Sequence, residues 1–266
     1  MKYFHDIPKQ NGLFELADEA CKLLKFAKLS LKAGESYNGQ VADNRETMLV
    51  MLAGKINIIV NDKKFTNIGQ RSNVFAGDPH SIYLPRATQY SISAKTDCEI
   101  ALASAPSSLD TQPYEIKPTG VQKGTWGALN YTRYFRLIAV DGDGHAASSI
   151  IIGETITPSG NWSTYPAHKH EVNEGGEVFH EEMYYFRNAS PDGYGLAQHY
   201  SPERGYNDKY LVTDDSLLSM PHGYHTYVAA PGTASYYLWF LAGDGRKQGV
   251  SLDPKVGWVQ KTVGML

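Results

Sequence analysis

Cysteine is scarce: Cys21 and Cys98 are the only two in 266 residues. Two thiols cannot build a disulfide framework or a cysteine-rich zinc site. They read as buried or partly buried thiols in a reducing compartment. A surplus of positive charge is missing too. The 25 Lys and Arg against 28 Asp and Glu leave a net charge of −3, whereas nucleic-acid binders are usually basic. No apolar run comes near the roughly 20 residues that a membrane span requires. The opening segment, Met1 to Gly12, lacks the apolar core of a secretory signal. These absences predict a soluble cytoplasmic protein with no nucleic-acid partner and no membrane partner. Helical periodicity is nearly absent as well. The first segment with helical spacing, Leu13 to Leu24, is short and cut by charges.

Strands and turns are what the sequence does contain. The 18 tyrosines, 25 glycines and 13 prolines favour both. Ala27, Leu29 and Leu31 alternate with Lys28, Ser30 and Lys32, the period-2 pattern of a half-buried strand. Met48 to Leu52 and Ile56 to Val60 are further apolar runs. Turns recur about every 8 to 12 residues, the rhythm of an all-β sandwich or barrel. Between Pro106 and Gly127 the pattern loosens into a proline- and glycine-rich linker. A second series of strands then runs from near Tyr131 to about Ala242, and the polar tail from Asp244 onward is expected to pack back on the first half.

The two halves share an outline. Gly34-Glu35 parallels Gly153-Glu154, Glu46 and Glu182 each lead an apolar strand, and Leu84-Pro85-Arg86 parallels Met220-Pro221-His222. This reads as a duplicated small barrel, with residues 1–120 in the first copy and 121–266 in the second.

The chemistry concentrates in the second copy. Residues i and i+2 of an extended chain point to one face, so His168 and His170 can grip one ion. Glu182 follows at the head of an apolar strand, and His225 follows the tight turn Pro221-His222-Gly223-Tyr224. Three imidazoles and one carboxylate suit Zn(II), Fe(II), Mn(II), Ni(II) or Cu(II). A lone His-x-His is more often surface decoration. The order His-x-His, strand-leading Glu, Pro-x-Gly-x-His makes these four the candidate metal ligands. The first copy has Glu46 and Pro85-Arg86-Ala87-Thr88 at the equivalent places without His-x-His, so it is expected to be structural and metal-free. His5, His80 and His145 read as ordinary surface or turn histidines. His180, His199 and His222 each lie near the site in sequence, and contact with it is the minority reading for each.

The wording of these segments resembles the 5-deoxy-glucuronate isomerase family of inositol catabolism. The resemblance is carried by Gly153-Glu154-Thr155, by Pro158 to Pro166 and by His168-Lys169-His170. It continues through Glu181 to Arg187, Pro191 to Leu196, Pro221 to His225, Ala229 to Gly232 and Tyr236-Tyr237-Leu238. It spans about residues 130 to 245 in order and is looser in the first half. The sequence departs from the family pattern at His222, where an arginine is expected, and at His180, where a leucine commonly stands. The resemblance implies an all-β bicupin fold of two tandem cupin (jelly-roll) barrels. It implies one divalent ion on His168, His170, Glu182 and His225, with zinc first and manganese, iron or nickel as alternatives. It also implies conversion of a small sugar acid, 5-deoxy-D-glucuronate, to 2-deoxy-5-keto-D-gluconate.

Such an isomerase must polarise a carbonyl and hold a carboxylate. Counting in twos from Glu182 puts Tyr184 on the ligand face, as a donor to a sugar oxygen. Gln198 shares a face with Leu196 and Tyr200 and is a second candidate. Lys169 and Arg187 are the cations nearest the ligands in sequence and the candidates for the substrate carboxylate. Strict alternation points both away from the ion, with salt bridging as their other role. The competing readings are a 5-keto-4-deoxyuronate isomerase, a cupin Fe(II) dioxygenase and a sugar-binding cupin without catalysis. Barrel edges make a homo-oligomer possible.

Overall fold

The computed structural model describes residues 2–265. Two sandwiches of antiparallel strands stand side by side. In the first, a six-stranded sheet runs in the order Tyr114–Ile116, Ser81–Leu84, Arg45–Ala53, Cys98–Pro106, Lys25–Leu31, Gly12–Glu15. It faces a four-stranded sheet ordered Ser36–Gln40, Gln89–Ala94, Ile56–Val60, Lys63–Ile68. Leu29, Leu49, Met51, Ile58, Ile82 and Ile100 fill the space between them.

In the second sandwich, the large sheet has seven strands. Their order is Phe4–Asp6, Ser216–Met220, His180–Asn188, Ser235–Gly243, Ile151–Thr157, Arg133–Ala139, Gln122–Trp126. The facing sheet has five: Tyr206–Val212, Gly195–Ser201, Tyr224–Ala229, Trp162–Lys169, Ser251–Leu252. Phe4–Asp6, at the start of the chain, thus pairs with Ser216–Met220 of this second sandwich. Of the segment read as a linker, Tyr114–Ile116 borders the first large sheet and Gln122–Trp126 the second. Among the described residues no helix is long and apolar enough to cross a membrane.

The two large sheets pack face to face, and this explains their unbroken apolar runs. Along Arg45–Ala53, Leu49 and Met51 point into the first sandwich while Met48, Val50 and Leu52 point into the layer between the sheets. Met183, Tyr185, Leu238 and Phe240 enter that layer from the other side, and Phe26 stacks on Tyr185 with ring centroids 5.0 Å apart. A strand covered on both faces has no polar face to alternate with. Lys28, expected on a solvated face, is therefore only 2% exposed; its Nζ lies 2.6 Å from Asp215 Oδ1 and 3.3 Å from Glu99 Oε1.

Leu13 to Leu24 does not form a helix. Gly12–Glu15 joins the sheet beside Lys25–Leu31, and carboxylates take the following backbone donors. Asp18 accepts from the N–H groups of Ala20 and Cys21, and Glu181 from those of Lys22 and Leu23. The polar tail also differs from expectation. Ser251–Leu252 pairs with Trp162–Lys169 of the second sandwich, and in the 3₁₀ segment Gly257–Met265 Thr262 Oγ1 lies 2.5 Å from Tyr131 Oη. Both cysteines are free and buried.

Charge is buried between the sandwiches in matched pairs. Arg71 of the first donates from Nη2 and Nη1 to Glu154 of the second at 2.5 and 2.9 Å. Tyr236 Oη adds a bond of 2.7 Å to the same carboxylate. Glu46 reciprocates from the first sandwich, accepting the backbone N–H groups of Ser148, Ser149 and Ile150 at 2.7, 2.7 and 2.8 Å. Removing one partner of a buried pair strands the other charge. Arg71→Met is therefore expected to destabilise the protein by about 3–5 kcal/mol in chemical denaturation. A loss below about 1 kcal/mol, the scale of a surface ion pair, would show that the clamp carries little.

Candidate metal centre

Four side chains from both sheets of the second sandwich converge. His168 is the next-to-last residue of the strand Trp162–Lys169, and its partner across the ladder is His225. His170 follows two residues later on the same face, as alternation requires. Glu182 comes from the opposing sheet, near the start of His180–Asn188. One ligand atom from each of the four lies within 4.8 Å of the others. Glu182 Oε2 is 3.0 Å from His170 Nε2 and 3.1 Å from His225 Nε2. All but His168 are buried. The turn before His225 requires glycine at 223: its φ is +87°, and a Cβ there would lie 2.3 Å from Tyr206 Oη.

The polar bookkeeping at this point favours a cation. His170 Nδ1 lies 2.7 Å from the carbonyl oxygen of His180. A carbonyl can only accept, so Nδ1 carries the proton and donates. In the neutral ring Nε2 is then a lone pair facing a carboxylate, and two acceptors cannot bond without a proton or a metal between them. His225 is buried with neither ring nitrogen in an aligned hydrogen bond, although Nε2 touches Glu182. The carbonyl of His180 holds the His170 ring as outer groups commonly hold metal-binding imidazoles. The residues therefore fit a divalent ion in number, chemistry and orientation.

Electrostatics agree. Burial opposes charge on Glu182, but the bond to His170 and the close approach of the His225 ring outweigh it and hold the carboxyl well below the usual carboxylate range. Burial also pulls His170 down, yet Glu182 lifts it above the ordinary imidazole value. His168 is pushed well down by burial and by the other two imidazoles.

A cavity of about 360 Å³ opens beside the ligands, within the range of roughly 300–1,000 Å³ typical of small-molecule sites. His168 and Glu182 border it, together with Tyr184, Tyr237, Trp239 and Arg133. Tyr184 is buried, its ring centroid 5.6 Å from that of His225 and 4.5 Å from that of Tyr237. Burial and the Glu182 carboxylate drive its pKa well above that of a free tyrosine, so its hydroxyl stays protonated. Tyr237 is anchored by Ser163 Oγ at 2.5 Å.

The structure does not bring the other candidates to the cavity. Lys169 Nζ lies 2.6 Å from Glu171 Oε1 and 3.9 Å from Glu177 Oε2, on the face opposite its histidine neighbours. Arg187 bridges the sandwiches, with Glu99 at 2.7 Å and Asp214 at 2.9 Å. Gln198 donates to Asn207 on the outer surface. On that strand Ala197 and His199 are the buried, inward positions, so the face shared by Leu196, Gln198 and Tyr200 is the outer one. His199 stands across the ladder from His225 and bonds to the His222 carbonyl at 2.6 Å. The ring of His222 faces Tyr206, and that of His180 the Val178 and Gly245 carbonyls. His80, read as a surface or turn residue, is 4% exposed and sits between the Gly69 N–H and Glu115.

Arg133, Tyr237 and Trp239 are the cavity residues that the sequence analysis missed. Tyr237 and Trp239 lie in an apolar run that alternation divides between two cores. Arg133 differs from Arg136 only in parity, and Arg136 turns to Asp78 at 2.9 Å instead.

The titration of the chelated protein follows from these contacts. His170 is expected to titrate above, and His168 below, the ordinary imidazole value of about 6.5. The lifted His170 contributes stability that is full below about pH 6.5 and lost as pH rises through its folded pKa. The depressed Glu182 contributes stability present above about pH 4.3 and lost as pH falls through its folded pKa. Both statements describe one pair, which therefore contributes most between those limits. Imidazole NMR of the wild type and Glu182→Gln checks this; a His170 pKa unmoved by the substitution would contradict the pairing.

Known proteins resemble this chain over nearly its whole length. Residues 7–259 match the KduI/IolB family. A protein of Geobacillus thermodenitrificans named 5-deoxy-glucuronate isomerase is 33% identical over 239 residues, covering 89% of this chain and 86% of its own. One of the same name from Halalkalibacterium halodurans is 32% identical over 259 residues, covering 96% and 92%. The crystal structure of an IolB-like protein from Salmonella typhimurium LT2 superposes with a TM-score of 0.91 at 30% identity, covering 97% of this chain and 99% of that one. Oxalate decarboxylase of Lactobacillus farciminis, at 11% identity and a TM-score of 0.67 over 95% of this chain and 89% of its own, shows the shared bicupin fold alone. By sequence and by fold, the chain belongs to the KduI/IolB family.

Proposed function

We propose that this protein is a metal-dependent aldose–ketose isomerase that converts 5-deoxy-D-glucuronate to 2-deoxy-5-keto-D-gluconate in inositol breakdown. The observation that carries the reading is the convergence of His168, His170, Glu182 and His225, two of which, His168 and Glu182, border a cavity of about 360 Å³. The names of the curated relatives supply the substrate. Residues 121–266 hold the site, and residues 1–120, apart from the strand Phe4–Asp6, act as the metal-free support on which its large sheet rests. Zinc is the first choice of ion, and the cytoplasm the place of work.

The reaction moves the C2 hydrogen of the aldehyde form to C1 and the proton of the C2 hydroxyl to the C1 oxygen, leaving a ketone at C2 and an alcohol at C1; no atom is gained or lost. The divalent ion supplies Lewis-acid polarisation of the sugar's carbonyl oxygen when bound. His168, His170, Glu182 and His225 hold it. Tyr184, kept protonated, donates a hydrogen bond to a sugar oxygen as negative charge gathers there. Tyr237 and Trp239 wall off water from the same side.

An NMR time course of the metal-loaded protein with 5-deoxy-D-glucuronate tests the activity. Product signals should appear, vanish after EDTA treatment and return with added metal; unchanged substrate in the presence of bound metal would refute the isomerase. Replacing His168 and His225 together by alanine should abolish metal binding by elemental analysis while circular dichroism stays native. A full equivalent of retained metal would overturn the ligand set. Tyr184→Phe should keep its metal and lower kcat by about 10²-fold, the scale of one lost transition-state donor; unaltered kcat would remove Tyr184 from the chemistry.

A further inference from the structure

A substrate acid needs a cation in the cavity, and the cations adjacent to the ligands in sequence are occupied elsewhere. One positively charged side chain lines the cavity together with His168 and Glu182, and it is Arg133. Arg71, Arg136, Arg187 and Arg246 each lie within 4.0 Å of a carboxylate. Arg133 is different. Its Nη1 donates to the backbone carbonyls of Tyr131 and Tyr165, at 3.2 and 3.5 Å, and its buried Nε has no partner among the described residues. Burial lowers its pKa, and the side chains that act on it are the hydroxyls of Tyr237, Tyr184 and Tyr131 rather than a carboxylate. A half-buried guanidinium with a buried, empty donor and no counter-charge is costly unless something anionic completes it.

The surroundings hold that guanidinium in place. Its carbon lies 5.8 Å from the ring centroid of Trp126, its partner across the ladder. Gly127 lets the chain pass close: its φ is +77°, and a Cβ there would lie 2.7 Å from Arg133 Nη1. The cation is therefore positioned before any ligand arrives, as bidentate carboxylate recognition requires.

We propose that Arg133 is the specificity-determining residue of this site, binding the carboxylate of the sugar acid while the reacting end lies toward His168 and Glu182. The inference rests on the isomerase reading for its choice of acid, and it predicts that neutral aldoses bind more weakly than the acid.

Calorimetric binding tests it apart from turnover. The probe is the substrate with its aldehyde reduced to an alcohol, which keeps the carboxylate and cannot isomerise. The zinc-loaded wild type should bind it, and Arg133→Gln should bind it about tenfold to a hundredfold more weakly, the scale of a hydrogen-bonded charge. Arg133→Lys, which keeps the charge but not the fork, should fall between them. Equal zinc content and Tm across the variants would establish intact folds. The wild type needs no substitution for the second arm: the analogue with hydroxymethyl in place of carboxylate should bind at least about tenfold more weakly. Equal binding of the acid by wild type and Arg133→Gln, or of acid and neutral analogue by the wild type, overturns the proposal. Turnover separates the two readings. Arg133-dependent binding without turnover sinks the isomerase and leaves the carboxylate site. Turnover with KM unchanged in Arg133→Gln does the reverse.

Discussion

The face-to-face packing of the two large sheets is the constraint on which the rest of the molecule depends. It covers strands on both sides, so each strand serves two environments at once. His180–Asn188 shows this best. Its odd-numbered residues Met183 and Tyr185 enter the layer between the sandwiches, and Glu181 there receives backbone donors of Lys22 and Leu23. Its even-numbered residues Glu182 and Tyr184 face the metal centre. A shift of one residue would exchange the two sets and destroy both. The buried pairs Arg71–Glu154 and Lys28–Asp215 span the same layer. Their electrostatic gain competes with desolvation, so their strongest effect is to make misaligned packing expensive.

The site is expensive in the opposite way. It gathers three imidazoles and a carboxylate with fewer hydrogen bonds than they could make in water, and His225 has none that is aligned. Groups held in this manner do not have to rearrange when a cation arrives. Such a cation finds its four donors together only in the folded chain, and so stabilises that state by mass action.

The four candidate ligands that the structure brings together were legible in the sequence because their spacing is local. His168 and His170 share a face by parity alone, Glu182 opens an apolar strand, and Gly223 marks the turn before His225. The duplicated β outline was legible from the turn rhythm. What escaped depended on partners distant in the chain. Alternation grouped Gln198 with Leu196 and Tyr200 correctly, but which face looks inward is set by the sheet opposite. Lys28 reads as solvated until the second sandwich covers it. The donors of Leu13 to Leu24 look free to make a helix until Glu181 claims three of them from 157 to 159 positions away. Arg133 is one of several arginines until Trp126 pairs with it and its neighbours leave it without a carboxylate.

The short strand Phe4–Asp6 bears on how such a protein can be divided. It lies ahead of the whole first sandwich in the chain, yet it closes the edge of the second by pairing with Ser216–Met220. A fragment cut at the apparent boundary near residue 120 would keep every metal ligand and lose this strand. Ser216–Met220 would then present unpaired N–H and C=O groups, a template on which a second fragment can add. The two sandwiches are thus separable on paper but interlaced in the chain, and gene fusions or domain swaps made at the linker would exchange a finished sheet for a sticky one.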